Sequence, residues 1–288
     1  AGLNRYAETH PNEVRLRHLF PVNGTDIAAG FILRSPFFFG LDDTIGKLSE
    51  DRDPPRGTAA PMTPAGRDPG MNGSNAFAIS PDRMADGKTW LISNSHQPYE
   101  GGVAWYEAVM HSGEGLHMAG ALFPGSPFVL LGHNRNLGWT NTVNGPDLID
   151  VYKLVLNEDG TQYRFDGKWL PLEKKWVWLP VRFGPLTVPV PKAVYHAIQG
   201  PVIVNSNGAF AIRYAAIDQA RNLEQYFRIT KAANWEEWKR AMSIGGIPAT
   251  NFVYADKTGR IAYVYNALFP DRRAGFDYTG VVPGDTSA

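Results

Sequence analysis

The sequence predicts an α+β protein in which antiparallel sheets follow a helical start. Within residues 1–50, apolar side chains recur at helical spacing. From Ser74 onward, short apolar segments alternate with Gly, Pro and Asn, a pattern typical of strands joined by tight turns. Near the end, residues 251–256 and 260–265 flank Lys257-Thr258-Gly259, which indicates a β-hairpin. Together these observations favour helices packed against antiparallel sheets.

The composition limits which classes of protein and which partners are possible. The chain has 288 residues, 43% hydrophobic and 12% aromatic, enough to bury a core in one large or two modest domains. Its 28 basic and 28 acidic residues balance without a Lys/Arg cluster suited to phosphates, which argues against nucleic acid as a partner. The lack of cysteine excludes disulfides and thiolate chemistry. No apolar run approaches the roughly 18 residues of a membrane span, and a leader for export would lie outside this sequence.

The helical start divides into two predicted helices. Thr25 or Asp26 caps the first, and the second begins near Pro36. The apolar residues at helical spacing are Ile27, Ala28, Phe31 and Ile32 in the first helix and Phe38, Leu41, Ile45 and Leu48 in the second. Because two short helices cannot bury these residues alone, we expect them to cover the sheet that follows.

Residues 51–73 separate the helices from the strands. They contain five prolines and four glycines and almost no apolar residues, so their burial cannot repay the entropy of ordering them. Composition alone leaves two interpretations open, an interdomain linker and an excised spacer.

Seven strands and a later helix are predicted after this segment. The strands span residues 74–79, 89–93, 105–110, 117–122, 128–132, 139–143 and 150–156. Residues 157–222, rich in Trp, Pro and Val, predict an irregular β-rich excursion from the main sheet. Asn234 then caps a helix that ends at Gly245-Gly246 and carries Trp235, Trp238 and Met242 on one stripe.

Ser74 is the candidate nucleophile because it begins an apolar strand directly after the Pro/Gly-rich segment. A serine nucleophile usually relies on a histidine base, but Ser74 lacks the Gly-x-Ser-x-Gly elbow of α/β-hydrolases. An α-amine is the alternative base. If the Gly73-Ser74 bond is cut, Ser74 gains an amine with a pKa of about 7.7 to 8.0, which can accept the hydroxyl proton near physiological pH.

Two other residue types offer weaker signals. His111, His117 and His133 fall in different predicted strands and form no His-Glu-x-x-His pair, so we predict no zinc site there. Most of the eight tryptophans fall in predicted strands or in the helix and are expected to be core residues.

Four blocks in a fixed order resemble the penicillin-acylase family of N-terminal-nucleophile hydrolases. They are Gly73 with Ser74-Asn75-Ala76-Phe77-Ala78, then Asn94-Ser95-His96-Gln97-Pro98-Tyr99, then Gly132-His133-Asn134 with Gly138-Trp139, and finally residues 251–256 with Pro270-Asp271-Arg272. Within that family the chain most resembles the acyl-homoserine lactone acylases. The further points of likeness are Val103-Ala104-Trp105-Tyr106-Glu107, and Asn141-Thr142-Val143-Asn144 followed by Pro146-Asp147.

The resemblance implies a fold and a processing pathway. The fold is the four-layer αββα N-terminal-nucleophile hydrolase fold with two antiparallel sheets, here incomplete at both ends. Residues 1–50 would form the helical C-terminal part of the small (alpha) chain, and residues 51–73 the spacer excised on maturation. Residues 74–288 would form the N-terminal part of the large (beta) chain. The implied partner is the rest of the precursor in the resulting heterodimer, and the implied location is periplasmic or secreted.

The resemblance also implies roles for individual residues. Ser74 is the nucleophile and, through its amine, the base, and the autocleavage site is Gly73-Ser74. His96 orients that amine or donates its backbone N–H to the oxyanion. The Val143 backbone N–H and the Asn251 side-chain amide donate to the same oxygen, and Arg272 holds the neighbourhood of Ser74 and Asn251.

The predicted binding sites follow from the same assignment. An apolar pocket takes the acyl chain, with walls expected at Phe77, Trp105, Phe123, Phe128 and Val143. The resemblance implies a structural calcium ion at Asp147, the carbonyl of Ile149 and Asp150, since oxygen ligands suit calcium. The chemistry itself needs no cofactor.

Three functions remain in view. The first is an amidohydrolase that cleaves N-acyl-homoserine lactones to a fatty acid and homoserine lactone. The second keeps the mechanism and acts on a penicillin, a cephalosporin or another N-acyl amide. The third is a non-catalytic β-rich binding module that uses tryptophans as a carbohydrate platform.

Overall fold

The computed structural model describes residues 2–49, 73–184 and 186–287, which form helices and mainly antiparallel sheets. This confirms the predicted α+β class. The described residues divide into two compact units. The first contains residues 2–35, 73–144 and 218–267, and the second contains residues 36–49, 145–184, 186–217 and 268–287. Except for Gly73, the predicted spacer lies outside the described residues.

The helical start contains three α-helices. They are α1 (Gly2–Thr9), α2 (Gly24–Phe38) and α3 (Leu41–Ser49), with a short 3-10 helix at Arg17–Leu19. None of the helices in the described parts of the chain is long and apolar enough to cross a membrane.

The cap of α2 differs from the prediction. The Oδ1 atom of Asn23 accepts the backbone N–H groups of Thr25 and Asp26 at 2.7 and 3.2 Å. In return, the Asp26 carboxylate accepts the Asn23 N–H at 2.8 Å. Asn23 is therefore the cap, and the prediction of Thr25 or Asp26 was wrong by two or three positions.

The boundary between α2 and α3 also differs from the prediction. Pro36 lies inside the last turn of α2 rather than at the start of the next helix. Gly40, with a φ of 89°, provides the break that was attributed to the proline. The following helix α3 then packs Leu48 against a sheet of the second unit, as expected.

The first unit is built on a six-stranded antiparallel sheet. Its order is β15-β14-β6-β5-β4-β3. The strands are β3 (Tyr106–Ser112), β4 (Leu116–Leu122), β5 (Leu131–His133), β6 (Leu137–Thr142), β14 (Ala249–Asp256) and β15 (Ile261–Ala267). All were predicted as strands, with shifted ends, and the predicted hairpin is the β14–β15 pair.

One face of this sheet is covered by two helices, α4 (Asn222–Lys231) and α5 (Trp235–Met242). The fully buried Trp238 of α5 packs against Phe252 and Tyr254 of β14. The Asn234 cap is confirmed, because its side chain accepts the Glu237 N–H at 3.0 Å. Helix α4 was not predicted.

The other face is covered by the antiparallel pair β1 (Gly73–Ile79) and β2 (Trp90–His96). Both strands pack on β6 and β14. The first unit is therefore a stack of helices, six-stranded sheet and two-stranded hairpin.

The second unit contains another six-stranded sheet, in the order β10-β11-β12-β13-β7-β16. Its strands are β7 (Ile149–Leu154), β10 (Glu173–Phe183), β11 (Leu186–Ala197), β12 (Gly200–Asn205), β13 (Gly208–Tyr214) and β16 (Val281–Pro283), and a separate hairpin joins β8 (Gln162–Phe165) to β9 (Lys168–Pro171). The final strand β16 runs parallel to β7, and the other neighbours are antiparallel.

Residues 157–222 are β-rich, as predicted, but the expectation that they would be irregular was wrong. The region forms regular strands because its prolines avoid the doubly paired part of the sheet. Pro180 lies on the edge strand β10 opposite Pro189, and β12 pairs only with residues 195–197 of β11. The tryptophans here were also misjudged, since Trp169, Trp176 and Trp178 are exposed, as is Trp90 of β2.

Candidate active site

Ser74 lies at the start of β1 and faces the six-stranded sheet. Burial along the first part of β1 alternates, with Ser74 and Ala76 half-buried between the exposed residues Gly73, Asn75 and Phe77. Ser74 pairs with Ser95 of β2, and paired residues of antiparallel strands share a face. The Ser74 hydroxyl donates to the carbonyl oxygen of Gly73 at 2.7 Å.

Two contacts fix how the hairpin lies over the sheet. A Cβ built on Gly138 of β6 would approach the Leu91 side chain of β2 to 2.9 Å, so these residues lie face to face. Two positions further along both strands, the Thr140 hydroxyl donates to the Ser93 hydroxyl at 2.6 Å. Strands β2 and β6 therefore run in the same direction, and the next inward residue of β2 lies towards Thr142.

A third contact supports the same alignment for β1. Pro81, just beyond β1, lies close to Gly259 in the β14–β15 turn, where a Cβ would meet the proline ring at 3.1 Å. The end of β1 therefore lies over the end of β14. The start of β1, with Ser74, lies over the start of β14, with Asn251.

Asn251 is held by both ends of its side-chain amide. Its Nδ2 donates to the Thr142 hydroxyl at 2.9 Å, and its Oδ1 accepts the Tyr263 hydroxyl at 2.8 Å. Asn251 pairs with Thr142, which shares a face with Thr140 and hence looks towards the hairpin. An amide carries two N–H groups, so one remains available for a ligand after the bond to Thr142.

Val143 follows the last paired residue of β6. The ladder between β6 and β14 ends at the pair of Thr142 and Asn251, and Val143 is 47% exposed. The predicted oxyanion donors, the Val143 N–H and the Asn251 amide, thus belong to neighbouring strands at one end of the sheet. This is the end over which Ser74 lies.

The His96 ring lies on the opposite face of the hairpin from Ser74. His96 pairs with Gly73, and the inward pair is Ser74 with Ser95. The His96 Nε2 atom lies 3.3 Å from the side-chain nitrogens of both Asn75 and Asn94. This placement leaves the backbone of His96, rather than its ring, as the part that can act near Ser74.

The residues predicted to form the acyl pocket are brought together only in part. Phe77 is exposed on the outer face of β1, and Trp105 stacks on Phe123 with ring centroids 4.3 Å apart. Phe128 instead packs against Phe227 of α4. An open groove of about 850 Å³ contains none of the five predicted wall residues and is lined by Leu91, Ser93 and Gly138, among others.

Two of the three predicted calcium ligands, Asp147 and Asp150, form an ion pair network with Arg272. One guanidinium nitrogen lies 2.7 Å from the Asp150 carboxylate and 2.9 Å from that of Asp147, and it donates to the Asp147 carbonyl at 3.1 Å. A second nitrogen donates to Asp150 at 2.9 Å. Burial raises the pKa of Asp150, although the hydrogen bond from Arg272 opposes this shift.

This arrangement does not fit a calcium site. A positive charge facing both carboxylates is already supplied by the guanidinium. Arg272 also lies over the Tyr278 ring, at 5.3 Å from its centroid. All these partners belong to the second unit, so the role of Arg272 beside Ser74 and Asn251 stays a prediction.

Three site residues were missed in the sequence. Thr142 and Tyr263 hold the Asn251 amide, and Asn144 is a buried side chain next to Val143. Thr142 and Asn144 belong to a block that was noted for its likeness, but no role was assigned to them. No local pattern identifies Tyr263, because its contact depends on strand pairing.

Comparisons with known proteins place the chain among related sequences and folds. A family model described as penicillin amidase matches residues 2–288. The acyl-homoserine lactone acylase PvdQ of Pseudomonas fluorescens is 32% identical over 209 residues, which cover 69% of this chain and 27% of that protein. The acyl-homoserine lactone acylase QuiP of Pseudomonas putida is 29% identical over 212 residues, covering 72% of this chain and 25% of that protein. The chain thus spans about a quarter of these curated relatives.

A solved structure shows the same fold. The thermostable penicillin G acylase from Alcaligenes faecalis matches 73% of this chain and 38% of its own, with a TM-score of 0.62 and 27% identity. This likeness confirms the predicted N-terminal-nucleophile hydrolase fold. With the family model matched from residue 2 to residue 288 and a serine at the start of β1 in that fold, the chain belongs to the penicillin amidase family.

Proposed function

We propose that this chain carries the nucleophile region of an amidohydrolase that cleaves N-acyl-homoserine lactones to a fatty acid and homoserine lactone. The observation that carries the proposal is the placement of Ser74 over the end of the sheet at which Asn251 lies next to Val143. The relatives PvdQ and QuiP, both named as acyl-homoserine lactone acylases, support the choice of substrate.

The nucleophile matures by self-cleavage. The Ser74 hydroxyl attacks the Gly73 carbonyl carbon, the C–N bond breaks, and the peptide bond becomes an ester to Ser74 Oγ. Water then hydrolyses the ester, which leaves a carboxylate on Gly73 and restores the Ser74 hydroxyl beside a free α-amine. The 2.7 Å contact between Ser74 Oγ and the Gly73 carbonyl oxygen supports this step.

Maturation gives the roles of the three segments. A second cut, after residue 50, releases residues 51–73 as the spacer. Residues 1–50 then end the small chain, and residues 74–288 begin the large chain of a heterodimer. Gly73 suits the cleavage site because a Cβ there would meet the His96 ring at 3.0 Å. The heterodimer is proposed to work in the periplasm or outside the cell.

Amide hydrolysis then uses the new amine as base. The Ser74 amine takes the hydroxyl proton, Oγ attacks the substrate carbonyl, and the Val143 N–H and Asn251 amide stabilise the oxyanion. The protonated Ser74 amine gives its proton to the amine nitrogen of the departing homoserine lactone. The acyl group remains as an ester on Ser74. Water, activated by the same amine, releases the fatty acid. An apolar pocket holds the acyl chain, and its walls remain a prediction.

A second candidate is the side-chain amide of a β-lactam. The likeness to a penicillin G acylase favours it, and the mechanism is the same. One methylene in an apolar pocket shifts substrate preference by only about 1 to 3 kcal/mol. Small differences in the pocket therefore decide between the two substrate classes.

The experiment compares turnover of octanoyl-homoserine lactone and penicillin G by the full-length protein. We expect a higher kcat/KM on the lactone and no turnover of either substrate by Ser74→Ala. Exclusive turnover of penicillin G would select the second candidate. No turnover of either substrate, together with quenching of tryptophan fluorescence by sugars, would instead favour the binding module.

A further inference from the structure

We propose that Asn144 is a positioning residue that holds the two sides of the oxyanion hole together, an inference that rests on the proposed function. Asn144 directly follows Val143, and its side chain reaches the residue directly before Asn251. It is 9% exposed, so its amide works in a largely water-free environment.

The contacts of Asn144 join three backbone segments of the first unit. Its Oδ1 accepts the Thr250 N–H at 2.8 Å, and its Nδ2 donates to the Asn266 carbonyl at 2.9 Å. The Asn266 side chain in turn donates to the Ile247 carbonyl at 3.0 Å. These donor and acceptor roles fix which end of the Asn144 amide faces Thr250.

The hydrogen bonds of the Asn144 side chain, here called the clamp, continue the link between β6 and β14 beyond the last backbone pair of these strands. The pair of Asn251 with Thr142 is the last between β14 and β6. One residue before Asn251, the Thr250 N–H donates to the side chain of Asn144 and not to the backbone of β6. The Asn144 side chain therefore keeps the two strands together at the point where Val143 and Asn251 must face one oxygen.

Thr250 adopts a backbone conformation that needs such support. Its φ is 127°, a value that β-branched residues rarely adopt. Strained residues of this kind cost of order 1 to 3 kcal/mol and persist only where their surroundings hold them. The strained residue Thr250 directly precedes Asn251, and Asn144 accepts the hydrogen bond that holds Thr250 in this conformation. Loss of Asn144 would let Thr250 relax and move the Asn251 amide away from the oxyanion.

The test introduces Asn144→Ala into the full-length protein, with Asn134→Ala as matched control. Asn134 is also a two-ended backbone clamp, since its Oδ1 accepts the Asn136 N–H at 2.8 Å and its Nδ2 donates to the Ala232 carbonyl at 2.8 Å, but it lies at the opposite end of β6. For Asn144→Ala we expect kcat to fall by about 10- to 100-fold with KM nearly unchanged, as for other supporting residues. Asn134→Ala should keep its kcat.

A rescue experiment separates the proposed mechanism from general destabilisation. Glycine accepts positive φ without strain, so adding Thr250→Gly to Asn144→Ala should recover part of the lost kcat. No recovery would overturn the claim that Asn144 acts by holding Thr250. If Asn144→Ala does not fold, Asn144→Gln is measured instead. Its longer side chain displaces Thr250 but keeps the C=O and the NH2 of the amide. A lowered kcat supports the proposal, and a wild-type kcat contradicts it.

One more variant separates this inference from the proposed function. If Asn251→Ala lowers kcat and Asn144→Ala does not, the positioning role is wrong and the oxyanion hole stands. If Asn251→Ala also keeps the wild-type kcat, the proposed oxyanion hole itself is wrong.

Discussion

The Tyr263 hydroxyl donates a 2.8 Å hydrogen bond to the side-chain oxygen of Asn251. The nitrogen of the same amide donates to the Thr142 hydroxyl at 2.9 Å, so the orientation of the amide is set from two strands. These two hydrogen bonds hold the side-chain nitrogen of Asn251, the proposed oxyanion donor, in a fixed position on the sheet.

Tyr263→Phe is predicted to lower kcat by about tenfold while KM changes little, because the phenyl ring keeps the packing and loses only the bond that orients Asn251. Steady-state kinetics on the preferred substrate measure the effect. The matched control is Tyr106→Phe, an exposed tyrosine of β3 at the opposite edge of the sheet. Equal kinetics for both variants would show that the bond has no catalytic role.

Asn251→Ala is predicted to reduce kcat by about 10²- to 10³-fold, the usual effect of losing one oxyanion donor. Its thermal midpoint should change much less than its kcat, since Asn251 lies half-buried near the start of β14. Asn205→Ala serves as control, because the Asn205 amide is likewise hydrogen-bonded at both ends, in its case to backbone groups, but belongs to the second unit. A loss of activity explained entirely by unfolding would contradict the assigned role.

The pH dependence should report a free α-amine. The amine acts as base only when neutral, so kcat/KM is expected to rise with pH through about 7.7 to 8.0 and then level off. The profile is measured between pH 5.5 and about 9.5 on the processed protein. A profile that stays flat from about pH 6 to 9 would mean that another group is the base.

Calcium should have little effect on stability, because Arg272 already forms ion pairs with both Asp147 and Asp150. The thermal midpoint is expected to be the same in EDTA and in calcium chloride. Arg272→Gln should lower the free energy of unfolding by about 3 kcal/mol, since it leaves the buried Asp150 without its cation. The exposed neighbour provides the control Arg273→Gln. A large loss of stability in EDTA would restore the calcium prediction.

The sequence predicted those parts of the fold that local patterns determine. The strands of the first unit follow the alternation of apolar and turn residues, and the Asn234 cap follows from its position before an amphipathic helix. Helix α4 was missed, although Leu223, Tyr226, Phe227 and Thr230 recur at helical spacing. The strands at residues 157–222 were judged irregular because the tolerance of proline depends on which strand lies at an edge.

The site was predictable only in part. The blocks around Ser74 and Asn251 indicated its chemistry, but the residues that hold it depend on tertiary contacts. The bond from Tyr263 to Asn251 requires the pairing of β14 with β15, and the clamp from Asn144 to Thr250 requires the end of the β6–β14 ladder. The pairing of Arg272 with Asp147 and Asp150 joins residues more than 120 positions apart.

The central claim is that the catalytic base is created by cleavage before Ser74. Intact mass and N-terminal sequencing of the active protein test it directly, with Ser74→Ala as the uncut and inactive reference. We expect a chain that starts at Ser74 in every active preparation. Full activity in a protein that remains continuous across Gly73-Ser74 would contradict it.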